Sequence, residues 1–443
     1  MPTVLAPPVQ RGLKQLDRSA FDVSVPLLGA SVAAARCKHL LTAIEGSAIS
    51  YQGVQRIVAD VDDPSRRLVL LNASNPDSLP SPVLAALTAE AATLKPYTLQ
   101  LGYEYWSAHD ILHAILPEDL LDEAPSSFAT VGHIAHLNLR DEYLPHRHLI
   151  AQVILDKNAH IRTVVNKLDT IDHEFRFFKM EVLAGDDDLD VEMSEHGVRY
   201  RFNFAEVYWN TRLSTEHLRL VDLFQPDELV VDAFAGVGPF ALPASRKGCF
   251  VLASDLNPAS ARALASNVKL NKLDAYVRTG NADGRAWIAE ATIEAWERPF
   301  TRPPRKPARP KPGRPAVCTS PAPTLPPPPR LVAHFIMNLP ASALTFLDAY
   351  RGIYRPLLER SDFDMDAARR SRPMVHCYCF SRSATVEEAT LDICERATAA
   401  LGHPVDRDSV DRFSISLVRT VAPKSVMFRL SFTLPWDVLT ASD

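Results

Sequence analysis

The run "VVDAFAGVGPFALPASRKG", from Val230 to Gly248, constrains this chain more than any other stretch. An apolar run stops at Asp232, glycines follow at Gly236 and Gly238, and Pro239 stands where a helix would begin. Glycine opens backbone conformations closed to other residues and proline presets a first helical turn, so the pattern reads as strand, tight turn and helix. The same alternation continues to the end: "FVLASD", "PASARALASNVKLN", "AYVRTGNAD", "LVAHFIMNLP", "SALTFLDAYRGIY", "MVHCYCF" and "TVEEATLDICERATAALG" swap strand-like for helical spacing. Strands and helices in alternation predict an α/β fold, a doubly wound and mostly parallel sheet in residues 201–443. The last two runs, "FSISLVRTV" and "SVMFRLSFTL", predict a closing antiparallel hairpin.

Smaller α+β domains precede the sheet. Residues 1–127 mix strand-like and helical runs without evident chemistry and read as an accessory domain. Residues 128–200 read as a compact α+β module, interrupted by the acidic "AGDDDLDVEMSEHG", expected as a solvated hairpin or turn. Between Arg298 and Arg330 lies a segment rich in proline and arginine and free of acids, which cannot pack a core and reads as an extended insertion in one loop of the sheet.

The formal net charge is -5, so there is no global pull toward a polyanion, although local basic patches can still carry one. Six cysteines in 443 residues are too few for a disulfide framework and point to a reducing compartment. "VHCYCF" places His376, Cys377 and Cys379 close in sequence, but neighbours on a strand face opposite ways and no second pair completes a zinc set; a buried strand is the simpler reading, and no metal is expected. His146 and His148 of "PHRHL" are read the same way. No apolar run reaches the roughly 18 residues of a membrane span. The first twenty residues carry Arg11, Lys14 and Arg18 against Asp17 and lack a secretory core, which leaves a mitochondrial presequence open.

"GVGPFA" matches the spacing of a nucleotide-cofactor turn, and Asp255 in "VLASDLNP" stands where a carboxylate can accept from ribose hydroxyls. Both a nicotinamide dinucleotide and S-adenosylmethionine present such hydroxyls. Three features favour the second. A carboxylate at Asp232 repels a pyrophosphate and suits a cofactor with an amino group and a sulfonium, Asp283 of "GNADGR" can meet an adenine amino group, and "IMNLP" ends the fourth strand with Asn338 and Pro340 in a turn able to face a nitrogen that is to be methylated.

Beyond the turn, "LNLRDEYLPHRHLIAQVILDKN", "EFRFFKMEVLAG", "FNFAEVYWNTRLSTEHLRLVDLF", "DAFAGVGPFALPA", "SDLNP" and "MNLPASA" closely resemble the archaeal and eukaryotic tRNA (guanine-N1) methyltransferases, which modify guanosine 37 beside the anticodon. The resemblance runs from about residue 130 to the end and implies a Rossmann-like methyltransferase sheet, an RNA-binding or linking role for 128–200, S-adenosylmethionine as cofactor and tRNA as partner. It implies that Glu216 is the general base, that Arg176 lies near the base and its phosphate, and that Asn338 orients guanine. Tyr208, Arg212 and Pro340 then line the target pocket, while His217, Leu256, Gly284, Asp255 and Asp283 join the glycine turn around the cofactor. A monomer in the cytoplasm is the expectation, with nuclear and mitochondrial pools left open. The nearest rival is the sister enzyme of wybutosine synthesis, which moves an aminocarboxypropyl group instead. An RNA-binding protein with a vestigial cofactor site is the rival of another class.

Overall fold

A computed structural model describes residues 5–125, 127–171, 178–302, 327–383, 385–422 and 425–442. The chain forms two compact units, one of residues 1–129, 135–167 and 181–187, the other of residues 130–134, 168–180 and 188–443.

In the first unit an antiparallel sheet runs in the order Ile57–Ala59, Arg66–Leu71, Val23–Ala33, Thr93–Leu101. Side chains alternate across a strand, so Leu27, Leu68, Leu70 and Leu99 enter one core while Leu28, Ala30, Val69 and Leu71 enter another. Helices Cys37–Ala43 and Ser81–Ala89 close the second core with Leu40, Val83 and Leu87. The first core is closed by Ile111 and Ile115 of helix Ala108–Ile115 and by Ile150 and Ile154 of helix Arg147–Lys157. Residues 135–167 belong to this unit, and their helix packs in the same core as the sheet of the first 127 residues.

The second unit opens with a hairpin, Asp190–Glu195 paired with Val198–Asn203, whose turn residues His196 and Gly197 both take positive φ, of 50° and 76°. The acidic stretch is thus a hairpin as expected, but Glu195 is buried rather than solvated.

A seven-stranded sheet follows: β1 (Leu229–Asp232), β2 (Phe250–Ser254), β3 (Val277–Gly280), β4 (His334–Met337), β5 (Met374–Ser381), β6 (Ser414–Ala422) and β7 (Ser425–Thr433). Their order is β3-β2-β1-β4-β5-β7-β6; β1 to β5 are parallel, and β7 is antiparallel to both its neighbours. Every residue of β1, β2 and β4 is buried, as strands covered by helices on both faces must be. The direction of strand succession reverses between β1 and β4, and in open α/β sheets the crevice at such a reversal is where ligands bind.

Two elements that pack on the sheet, Gly284–Glu297 and Ala343–Tyr350, depart from the sequence reading, as do the short helices Arg355–Leu358, Met365–Arg370 and Trp436–Leu439. Helix Gly284–Glu297 was not anticipated; it seats Trp287, Ile288, Ala291, Ala295 and Trp296 in the sheet's core, but interspersed alanines blur its apolar face. Ala343–Tyr350, expected as a helix, folds as 3-10 turns. The first residues of the proline-rich segment are packed. Phe300 is buried with its ring 5.0 Å from that of Phe250, and Arg302 pairs with Asp227, whereas residues 303–326 lie outside the described residues.

On β5 the expected alternation is plain. Val375, Cys377 and Cys379 join Phe428, Leu430 and Phe432 of β7 in the core. The opposite face carries His376 and Tyr378, directly across from Ser431 and Arg429. His376 is fully buried and spends its ring nitrogens on Ser431 Oγ at 2.8 Å and His334 Nδ1 at 3.0 Å.

Candidate active site

The glycine turn sits at the carboxyl end of β1. Its Ala235 N–H donates to the Ser254 carbonyl at 2.8 Å and its Gly236 N–H to Asp255 Oδ2 at 2.8 Å, so the end of β2 holds the turn in place. Gly236 has φ of 53° with open space where a side chain would begin, which leaves the backbone approachable. Gly238, at φ 100°, is packed instead: a Cβ there would lie 2.8 Å from both Leu242 and Leu264. One glycine keeps a cradle open and the other closes it against the helices behind.

Three acids stand around this turn in different states. Asp232 is wholly buried; Oδ1 accepts weakly from the Phe234 N–H at 3.3 Å, and Oδ2 has no partner among the described residues. Burial, with the Asp255 carboxylate adding to it, pushes the Asp232 carboxyl up to about 8. A buried carboxyl without a cation is costly, and the missing partner is a positively charged group. S-adenosylmethionine, with its amino group and sulfonium, fits that need; a dinucleotide pyrophosphate does not.

Asp255 is more constrained than its spacing implied. Besides Gly236 it accepts at Oδ1 from the Asn257 N–H at 2.9 Å, so both oxygens already brace the site, although each keeps capacity for a further donor. Asn281, unremarked in the sequence, joins the ends of β2 and β3 by donating to the carbonyls of Asp255 at 2.7 Å and Leu256 at 3.0 Å. Asp283 is exposed and caps helix Gly284–Glu297 by accepting from the Arg285 N–H at 2.9 Å. Gly284 is buried beneath Phe234, and Leu256 is 45% exposed beside the turn, as a residue that packs on a ligand would be.

After β4 comes the turn of Asn338 and Pro340. Its backbone is anchored to β5 by Phe380 N–H donating to the Pro340 carbonyl at 3.0 Å. Asn338 Oδ1 is buried and unpartnered among the described residues, an acceptor waiting for a donor such as a base N–H.

Comparison with known proteins agrees with this chemistry. Residues 191–295 match the TRM5/TYW2 methyltransferase domain, and residues 108–188 match the TYW2 N-terminal domain. A tRNA (guanine(37)-N(1))-methyltransferase of Coprinopsis cinerea is 42% identical, over 98% of this chain and 96% of its own length. The chain belongs to the tRNA (guanine(37)-N(1))-methyltransferase family. A relative of the same name from Schizosaccharomyces pombe is 40% identical over 97% of this chain and 96% of its own. Among solved structures, Trm5b from Pyrococcus abyssi superposes with a TM-score of 0.55 at 20% identity, covering 92% of this chain and 98% of that one. The complex of aTrm5 and tRNALeu gives 0.58 at 18% identity, covering 92% and 100%. At those identities the likeness is one of fold.

Within the family frame, helix Ser214–Val221 is the element that carries Glu216, and the fold buries it: Glu216 is 5% exposed. Oε1 accepts from Arg429 Nη1 at 2.6 Å and from the Tyr378 hydroxyl at 3.0 Å, and Oε2 from Arg219 Nη1 at 3.4 Å. None of these partners was singled out in the sequence; an arginine inside the apolar alternation of "VMFRLSF" was the available signal.

His217 is 2% exposed, its Nδ1 lies 2.7 Å from Glu195 Oε1, and its ring meets Phe240 beside the glycine turn edge-on at 4.8 Å. Tyr208, at 45% exposed, and the exposed Arg212 flank Asn210, whose Oδ1 caps the short turn Thr211–Leu213 and whose Nδ2 donates to the Tyr208 hydroxyl at 3.3 Å. Arg176 lies outside the described residues.

Proposed function

We infer that this chain is a tRNA (guanine(37)-N(1))-methyltransferase that uses S-adenosylmethionine. The observation that carries the reading is near-full-length identity of about two residues in five to relatives named for that reaction. When bound, the cofactor supplies an electrophilic methyl group. The residues here divide the remaining work. Asp232 meets the cofactor's positive charge, the open backbone at Gly236 and the exposed Leu256 border it, and Asp255 and Asp283 offer acceptors at the ends of β2 and β3.

Guanine N1 carries a proton that must leave as the methyl arrives. Glu216 takes it at Oε2, the oxygen whose single bond is long. Asn338 Oδ1 orients the base by accepting one of its N–H groups, and Tyr208 and Arg212 border the pocket from the exposed side. The step needs alignment of nucleophile and leaving group above all, which fixed strand ends supply.

The test is an assay of the purified protein with labelled S-adenosylmethionine and unmodified tRNA carrying guanosine or adenosine at position 37. Label in the guanosine transcript alone, with a mass gain of one methyl group, is expected. A gain of one aminocarboxypropyl group would assign the chain to wybutosine synthesis instead.

Asp255 provides a separate check. Asp255→Ala removes an acceptor and also frees the Gly236 turn, so cofactor affinity by calorimetry is expected to fall by about 1.5–3 kcal/mol. An unchanged dissociation constant would remove Asp255 from the site.

A further inference from the structure

Glu216 and its partners come from three distant parts of the chain. Tyr378 lies on β5 and Arg429 on β7, paired directly across the two strands, so their side chains leave the sheet on one face. Both are buried, Arg429 at 4% exposed and Tyr378 fully. Both donate to the same atom, Glu216 Oε1. Burial pushes the Tyr378 hydroxyl well above its ordinary range, so it remains a donor. Arg219 is different: its side chain is 47% exposed, and its contact with Oε2 is long. One carboxylate oxygen is thus locked by two buried donors, and the other is held, among the described residues, only by the half-exposed Arg219, which also donates to the Leu417 carbonyl at 3.4 Å. A buried arginine also carries a large desolvation cost, and its Nε has no partner among the described residues. Such a cost is explained when the charge has a task.

We propose that Arg429 and Tyr378 are positioning residues for methyl transfer, which fix Oε1 of Glu216 and leave Oε2, on the side of Arg219, to receive the guanine N1 proton. The proposal rests on Glu216 as the base. In the step, the N1–H electrons become the pair that bonds the incoming methyl carbon, the proton passes to Oε2, and the carbon–sulfur electrons stay with the departing sulfur. The two buried donors hold the carboxylate by one oxygen and stop it from rotating.

The experiment is the single-turnover rate of methyl transfer for Arg429→Met, Arg429→Lys and Tyr378→Phe, alone and combined with Glu216→Gln. Arg429→Met is expected to lose roughly 10- to 100-fold at neutral pH, because the carboxylate loses its shortest anchor. Arg429→Lys should return part of the rate, since it restores a charged donor without the planar fork. Tyr378→Phe should lose about 3- to 10-fold. In the Glu216→Gln background Arg429→Met should cost less than about twofold more, because residues acting through one atom are not additive.

An Arg429→Met enzyme that is folded and retains its rate within about twofold overturns the proposal. So does a loss that Arg429→Lys does not relieve and that recurs in full in the Glu216→Gln background, which is the mark of a merely structural role. Should Arg429→Met fail to fold, Tyr378→Phe decides: the stated loss, absent from the Glu216→Gln background, supports the proposal, and an unchanged rate overturns it. A Glu216→Gln enzyme as fast as wild type removes the base reading and the proposal together, whereas a crippled Glu216→Gln beside a normal Arg429→Met removes the proposal alone.

Discussion

Glu216→Gln is expected to slow single-turnover methyl transfer by roughly 100- to 10,000-fold at neutral pH, while tRNA and cofactor affinities change little. The amide oxygen can still accept from Arg429 and Tyr378, so the side chain stays where the carboxylate was, but its nitrogen cannot take a proton. Raising the pH should recover part of the rate, because more guanine then ionises without help. The substitution also leaves the Arg429 guanidinium buried beside a neutral group, which costs on the order of 3 kcal/mol of stability. Melting temperature must therefore be measured with the rate. Glu216→Asp separates the two effects: it keeps the charge and withdraws the carboxylate by one methylene, so stability should suffer less while the rate still falls. A folded Glu216→Gln enzyme within about threefold of wild type would exclude Glu216 as the base.

Asp232→Asn should act on stability and binding in opposite directions. In the cofactor-free protein the Asp232 carboxyl is pushed from its ordinary 3.8 up to about 8. The unfolded chain therefore releases this proton first as pH rises, so the native state loses stability across that window and the loss levels off above the folded value. An asparagine does not titrate. Relative to Asp232→Asn, wild type is expected to lose on the order of 5 kcal/mol between acid pH and pH 8, read as a widening gap in melting temperature. Cofactor affinity should move the other way. A cation bound against Asp232 favours its ionised form, so wild-type affinity should strengthen as pH approaches 8, whereas Asp232→Asn should bind about 10- to 100-fold more weakly at that pH. Equal affinity of the two proteins at pH 8 would show that Asp232 does not face the cofactor.

Much of the second unit can be read locally. Strand–turn–helix at Val230–Gly248 needs no distant information, since glycine, proline and the switch from strand to helix spacing are properties of neighbours. Asp232 and Asp255 stand out in the sequence because each lies at a strand's end, where strand spacing gives way to the next element, and Asp283 lies after the third strand, immediately before the helix that follows it. In "MVHCYCF" a period of two told which residues share a face, and the structure keeps that division. Helix Gly284–Glu297 escaped because alanines weaken periodic contrast, and nothing local shows that helix Arg147–Lys157 packs in the core of the first 127 residues.

What the sequence determined by itself was therefore the kind of sheet, the place of the cofactor turn and the charges at its rim, all set by interactions among residues a few positions apart. Only the tertiary structure decided what those charges experience. Asp232 carries its raised affinity for a proton because strands on either side exclude water from it, and Glu216 is bound to Tyr378 and Arg429, 162 and 213 positions away. A two-residue period can say that Tyr378 and Arg429 each point to one side of their own strands. It cannot say that β7 lies beside β5, or that both present that side to the helix of Glu216, because strand order and register follow from how the whole sheet closes its core.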